Sequence, residues 1–328
     1  MLRILVTGGT GYIGSHTCKA LAACGMEPLV LDNLSTGFRH NVKWGSLVVG
    51  DVGDPVALRR VFHSYPVQGV LHFAASAYVG ESVTEPLRYY RNNVVSTLNL
   101  LEVMGECGIP PLVFSSSCAT YGVPAPGPIP VSHPQWPVNP YGWSKFMGER
   151  LILDSCHAHG LRAGILRYFN AAGADPDGDL REEHDPETHL IPLALDAALG
   201  TAPPLKVFGT DYPTPDGTCV RDYIHVTDLA AAHVQAMQEL LAGSATFIRN
   251  LGTGSGHSIR EVLETIERVS GQPVPHVIHD RRPGDPPALE AEITPAARDA
   301  LRFPALTDII RTAWQSRGGG GKTKKLKS

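Results

Sequence analysis

The chain has 328 residues, 43% hydrophobic and 18% charged, with a formal net charge of −4. That length suggests about two domains. The balance is that of an ordinary globular protein, without a basic surface for nucleic acid or an anionic membrane. Its six cysteines form no CxxC pair and no regular framework, which points to reduced thiols in the cytoplasm.

Taken in chain order, "MLRILVTGG" is too soon interrupted by glycine to be a signal peptide. "RILVTGG" from Arg3 reads as a buried strand, and Tyr12–Cys24 as the helix after it. Further strands are predicted at "PLVLDN" from Pro28, "SLVVGD" from Ser46, "GVLHFAA" from Gly69, "PLVFSSS" from Pro111 and "AGILRYFN" from Ala163. Helical patterns fall near Pro55–His63 and Asn93–Cys107, and another is led by Tyr141. Strands rich in Val, Ile and Leu that alternate with helices imply a parallel sheet covered on both faces. No apolar run reaches the roughly 18 residues of a membrane span. After Ala171 the alternation breaks up into short elements rich in Pro, Gly and Asp. The expected architecture is therefore α/β, a Rossmann-type doubly wound sheet with a smaller α/β C-terminal substrate domain. The expected boundaries are 1–170 for the dinucleotide domain, with segments near 220–243 packing back onto it, and 171–317 for the substrate domain. The last part, "GGGGKTKKLKS", reads as a flexible basic tail over 318–328.

Three patterns carry chemistry. The first is "TGGTGYIG", with glycines at Gly8, Gly11 and Gly14 between a strand and a helix. A tight turn, close backbone approach and a helix N-terminus are what a pyrophosphate needs. Asp32 ends the second strand, where a carboxylate accepts from a ribose diol and repels a 2′-phosphate, so NAD is favoured over NADP. Asp51, after the third strand, reaches the adenine edge or is a solvated loop residue. The second pattern is the strand end Ser115–Ser116–Ser117, at the edge of the sheet where ligands bind. Turn chemistry is the plainer account of two of the three. The third is "NPYGWSK". Asn139 is a good N-cap and Pro140 suits the first helical position. Tyr141 and Lys145 then share one helix face. A nearby ammonium, the helix dipole and any bound cation would lower the phenol from about 10, toward a base that works near neutrality. Spacing alone leaves a surface Tyr–Lys pair open.

The glycine motif, "HFAA", "FSSSCATYG", "NPYGWSK" and "LRYFN" together resemble the extended short-chain dehydrogenase/reductase family. "VGESVTEPLRYYRNNV", "GTDYPTPDGTCVRDYIHVTDLA" and "RRPGDPPA" narrow the resemblance to its UDP-sugar 4-epimerases, over about residues 2–317. The resemblance implies reversible epimerisation of UDP-glucose and UDP-galactose at C4, through a 4-keto sugar and with tightly held NAD. It makes Tyr141 the base at the 4-hydroxyl, Ser117 its hydrogen-bonding partner and Lys145 the holder of the nicotinamide ribose. It assigns Gly8, Gly11, Tyr12, Ile13, Gly14, Asp32, Asn33, Asp51, Val52, Phe73, Ala74, Ala75, Asn92, Ser115, Tyr168 and Phe169 to the cofactor, with Tyr141 and Lys145. For the substrate it assigns Ser117, Tyr141, Asn170, His189, Leu190, Lys206, Val207, Phe208, Arg221, Arg282, Asp285 and Leu289. The two arginines suit a diphosphate because their forks donate paired hydrogen bonds. A homodimer through the helices after the fourth and fifth strands is also implied.

Two positions depart from some relatives. Ala77 stands where a lysine lies near the cofactor pyrophosphate. Leu289 stands where a tyrosine borders the sugar, and the smaller side chain leaves room for an N-acetyl group. Alternatives are a UDP-xylose/UDP-arabinose 4-epimerase, a promiscuous UDP-N-acetylhexosamine 4-epimerase and, from another class, a non-catalytic NAD-binding sensor. A 4,6-dehydratase is disfavoured, because no Asp-Glu pair follows Ser117. The 14 histidines show no H-E-x-x-H or Cys/His cluster, so no metal is expected.

Overall fold

In a computed structural model, residues 1–108, 111–282 and 284–319 are described. The basic tail from residue 320 onward lies outside the described residues. The first half runs β1 (Arg3–Thr7), α1 (Tyr12–Ala23), β2 (Glu27–Asp32), β3 (Ser46–Val49), α2 (Pro55–Ser64) and β4 (Val67–His72). It continues with α3 (Val79–Thr84), α4 (Pro86–Tyr89), a π turn at Tyr90–Val95, α5 (Ser96–Cys107), β5 (Pro111–Ser117), α6 (Pro140–His159) and β6 (Arg162–Tyr168). The second half holds β7 (Asn170–Ala172), α7 (Leu190–Ala198), β8 (Leu205–Phe208), β9 (Val220–His225), α8 (Val226–Leu241) and β10 (Phe247–Leu251). Then come β11 (Gly256–Ser258), α9 (Ile259–Ser270), β12 (His276–His279), β13 (Ala288–Leu289), α10 (Pro295–Asp299) and α11 (Leu306–Ser316).

Successive side chains on a strand point to opposite faces, and here both faces are apolar. Leu5, Leu29, Leu31, Val70, Leu112 and Ile165 pack on one face against Leu58 of α2, Leu100 and Met104 of α5 and Ile152 of α6. Their neighbours Ile4, Val6, Val30, Leu71, Val113 and Leu166 pack on the other face against Leu21 of α1 and Val234, Met237 and Leu240 of α8. The sheet has seven strands in the order β3-β2-β1-β4-β5-β6-β10, all parallel. The order reverses between β1 and β4, and such a switch point is where open α/β sheets bind ligands.

Three elements differ from the sequence expectation. The strand expected at Gly69–Ala75 starts at Val67 and ends at His72, which leaves Phe73–Ala75 as a strap beside the glycine turn. The helix expected from Asn93 starts at Ser96, behind a six-residue π turn that contains Asn92 and Asn93. The seventh strand, β10, went unpredicted. It lies far along the chain and joins the sheet edge beside β6. Five residues at an edge, four of them half-buried and the one buried residue an asparagine, carry too weak a period to be read in isolation.

The second half builds its own core from α7, β8, α9 and α11, with Leu195, Val207, Ile266 and Ile310 at its centre. Asp222 of β9 is fully buried and ties this region together. It accepts from Thr253 N, Thr253 Oγ1, Gly254 N and Ala291 N at 2.7–3.1 Å. Among the described residues no helix is long and apolar enough to cross a membrane. All six cysteines are free.

Candidate active site

The turn between β1 and α1 requires its glycines. Gly8 sits at φ 72°, and a Cβ there would stand 2.6 Å from Ala74 N. A Cβ on Gly14 would drive into the Gly8 carbonyl oxygen. Gly11 N donates to Gly8 O at 3.2 Å, which closes the turn. Gly11 is also the N-cap of α1, with no side-chain cap and no acid in the first turn. The first N–H groups of the helix, from Tyr12 and Ile13 among others, are therefore offered to an anion. The Tyr12 side chain turns away and donates to Gly173 O at 2.6 Å. At the tip of β2, Asp32 accepts from Thr10 N (3.1 Å) and Leu34 N (2.8 Å). Leu34 is the one non-glycine among the described residues with a positive φ, 60°, a strained conformation for a leucine and one that the sequence did not signal. Asn33 reaches across to Asp51 (Nδ2 to Oδ2, 2.9 Å). Val52 is buried in the same core cluster as Leu31 and Leu58.

On the far side of the switch point, Phe73 packs on His233 with ring centres 4.7 Å apart and planes tilted by 43°. Asn92 donates to Ser76 Oγ at 3.1 Å. Strand alternation sorts the three serines. Ser115 Oγ pairs with Tyr168 Oη at 2.6 Å. Ser116 faces the other way and donates to Glu149. Ser117 caps the turn after β5, accepting from Ala119 N at 3.1 Å. Asn139 caps α6 through Gly142 N at 2.8 Å, as expected of an Asn-Pro start. Tyr141 and Lys145 are both buried, at 7% and 3% exposure. Lys145 Nζ donates to Ser115 O at 2.8 Å and lies 6.0 Å from the centre of the phenol ring.

The electrostatics correct one expectation. Burial pushes the Tyr141 phenol above its ordinary 10.0, the nearby Tyr168 adds to this, and Ser117 offsets it only in part. Burial also lowers Lys145 from 10.5 to about 8, with Glu149 pulling the other way. The lysine does not make the phenol acidic in the chain alone. Desolvation of a buried phenolate outweighs a cation that leans toward a strand carbonyl.

Behind this pair lies a network that the sequence pattern does not reveal. Glu149, one turn beyond Lys145, forms a buried ion pair with Arg167 at 2.6 Å. Arg167 also donates to Tyr121 Oη (3.0 Å), and Tyr121 donates to Asn250 Oδ1 (2.6 Å). Asn250 then holds Ile129 O at 2.7 Å. Ile129 belongs to an apolar cluster with Cys118, Tyr121, Phe169, Leu289 and Ala291. Cys118, which in sequence is only a free thiol, thus shares a wall with Leu289.

The expected anion contacts are brought together as well. Arg221 Nη2 and Arg282 Nε both converge on Asp285, at 3.1 and 3.3 Å. The Arg282 guanidinium lies 4.7 Å over the Phe208 ring. Burial pushes the Cys118 thiol up to about 12, and the charge of Arg221 offsets this only in part. Asn170 lies on β7 next to Tyr223 of β9. His189 occupies the N-cap position of α7 ahead of Leu190, with no side-chain cap, and its Nδ1 pairs with Glu182 instead. On β8, Lys206 is exposed and Val207 buried, so these two face opposite ways.

An uncapped helix behind a glycine turn and an acid at the tip of β2, at the carboxyl edge of the sheet where the buried Tyr–Lys pair also lies, define a Rossmann-type dinucleotide-binding protein. The model of the NAD dependent epimerase/dehydratase family matches residues 4–252, and the chain belongs to that family. It is 50% identical to a UDP-glucose 4-epimerase of Rhizobium leguminosarum bv. trifolii over 95% of this chain and 96% of that one. It superposes on a UDP-glucose 4-epimerase from Brucella ovis in complex with NAD with a TM-score of 0.93, at 51% identity over 97% and 99% of the two chains. It superposes on the Bifidobacterium longum enzyme in complex with NAD+ and UDP with a TM-score of 0.89, at 37% identity over 96% and 98%. The residues present fit NAD. The glycine cradle has no room for a Cβ at Gly8 or Gly14, the helix start has no side-chain cap, and Asp32 stands at the tip of β2.

Proposed function

We propose that this chain interconverts UDP-glucose and UDP-galactose by inverting C4, as an isomerase with NAD held throughout. The observation that carries the reading is the buried Tyr141–Lys145 pair, set beside Ser117 and the apolar cluster that holds Leu289. Residues 1–170 would hold the cofactor, with the segment near 220–243, and residues 171–317 the nucleotide sugar. Gly8, Gly11, Gly14 and the first turn of α1 would seat the pyrophosphate, with Asp32 on the adenosine ribose and Asn33 with Asp51 at the adenine edge. Lys145, with donors left over after Ser115 O, would hold the second ribose.

Bound NAD would supply a hydride acceptor for C4 and a positive charge additional to that of Lys145, which would favour the phenolate. Tyr141 Oη takes the proton from the 4-hydroxyl and returns it after the sugar has turned. Ser117 Oγ hydrogen-bonds the same sugar oxygen and keeps it within reach. Arg221 and Arg282 grip the diphosphate, so the nucleotide stays fixed while the 4-keto ring rotates. The apolar wall of Phe169, Leu289 and Cys118 imposes no polar contacts on either face of that ring.

Free thiols support a cytoplasmic location. A homodimer is supported by the solvent-facing Val83, Leu87, Val95 and Leu98 on α3–α5 and Met147 on α6. The test is direct. Denaturing the purified chain is expected to release NAD, and UDP-galactose is expected to convert to UDP-glucose. Tyr141→Phe is expected to lose about 10²–10⁴-fold in kcat while keeping its NAD. Undiminished turnover in that variant would remove Tyr141 as the base.

A further inference from the structure

We infer that residues 182–189 form a site for one divalent transition-metal ion of the zinc class, held by the carboxylates of Glu182 and Glu187 and by Nδ1 of His184 and His189. In sequence the four are spaced E-x-H-x-x-E-x-H, a pattern without a standard metal signature. The fold gathers them so that one donor atom from each lies within 4.8 Å of all the others. His189 stands 2.6 Å from Glu182 and 3.7 Å from Glu187. His184 stands 3.2 Å from Glu187 and 3.6 Å from Glu182. Tetrahedral bonds of about 2.0–2.1 Å require donor–donor edges of about 3.3–3.4 Å; the two His184 spacings lie close to that edge, while the His189–Glu182 contact is a hydrogen bond that an entering metal opens.

The charge balance argues the same way. The two carboxylate side chains are only 3% and 14% exposed, and among the described residues neither pairs with a lysine or an arginine. Glu182 is buried and Glu187 half-buried, and each is hydrogen-bonded to an imidazole, Glu182 to His189 and Glu187 to His184; a divalent cation takes the place of the protons those contacts require. The neighbouring Asp175, Asp177 and Asp179 make the contrast. Those three also converge, but Lys19 Nζ already sits among them at 2.7–2.9 Å. The ring of His184 is held edge-on by Tyr12 and Tyr78, with ring centres 6.3 and 6.0 Å away. A metal here would pin the segment that leads into α7 against the cofactor helix. It would use Nδ1 of His189 and leave Nε2 and the main chain for the nucleotide.

The test uses the NAD-loaded, chelator-treated chain titrated with Co2+. The expected result is one Co2+ per chain, with the intense visible bands of four-coordinate cobalt, displaced by Zn2+. Affinity is expected to fall by at least about tenfold in Glu182→Gln and His184→Ala, and to be unchanged in His276→Ala, which removes one of an exposed histidine pair. Retained NAD and an unchanged far-UV spectrum would certify the fold of each variant. If His184→Ala misfolds, Glu187→Gln serves in its place. Weak six-coordinate spectra, several equivalent sites, or equal loss in His276→Ala would mean surface histidines only and would overturn the proposal.

Discussion

Replacing Lys145 by methionine is expected to abolish turnover and yet stabilise the cofactor-free chain. Lys145 is 3% exposed, and burial lowers its ammonium from 10.5 to about 8. That difference corresponds to about 3 kcal/mol at about 1.36 kcal/mol per pK unit, set against the folded state in full below about pH 8, where both states keep the proton. Methionine keeps the apolar stem and gives up the hydrogen bond to Ser115 O, at a cost of about 1 kcal/mol. The variant is then more stable by about 2 kcal/mol at pH 7. The pH dependence has a definite sign. The folded pKa lies below the unfolded one, so between about 8 and 10.5 the unfolded chain binds more protons, and wild-type stability gains with rising pH across that window. The advantage of the variant shrinks through the same window and reverses above it, while other titrations cancel in the difference. Urea unfolding of both proteins at pH 7 and above pH 10.5 measures this. A variant less stable at pH 7, or a gap that does not move with pH, would refute the claim that a catalytic ammonium is held here at the expense of the fold.

Leu289→Tyr is expected to cut turnover of UDP-N-acetylglucosamine by about 10–200-fold while sparing UDP-glucose, because a ring would fill the wall shared with Cys118 and Ile129. Paired kcat/KM values give the answer, and no wild-type activity on the acetylated sugar would end the idea. Gly14→Ala is expected to empty the cofactor site and to cost about 1–3 kcal/mol, since its Cβ meets the Gly8 carbonyl. NAD content after denaturation reports it. Glu149→Gln leaves Arg167 buried without its anion and is expected to cost about 3–5 kcal/mol. Urea unfolding would show this, with a smaller loss in the Glu149→Gln/Arg167→Met double variant.

Local pattern carries much of this protein in its sequence. Six of the sheet strands, the glycine turn, the Asn139 cap and the i, i+4 placement of Tyr141 and Lys145 rest on neighbours a few residues apart, and each is legible in the order of residues alone. Strand alternation then determines that Ser116 turns away from Ser115 and Ser117. Tertiary structure decides whatever depends on burial or on distant partners. β10 becomes a strand only because the β6 edge is open to it. Arg221 and Arg282 meet only because Asp285 lies between them, and Glu182 finds its histidines only where the segment folds back on α1. The acidity of Tyr141 runs opposite to what its spacing from Lys145 implies. Spacing tells which charges are near, but desolvation depends on how completely the rest of the chain closes over a group, and here that outweighs the nearby lysine.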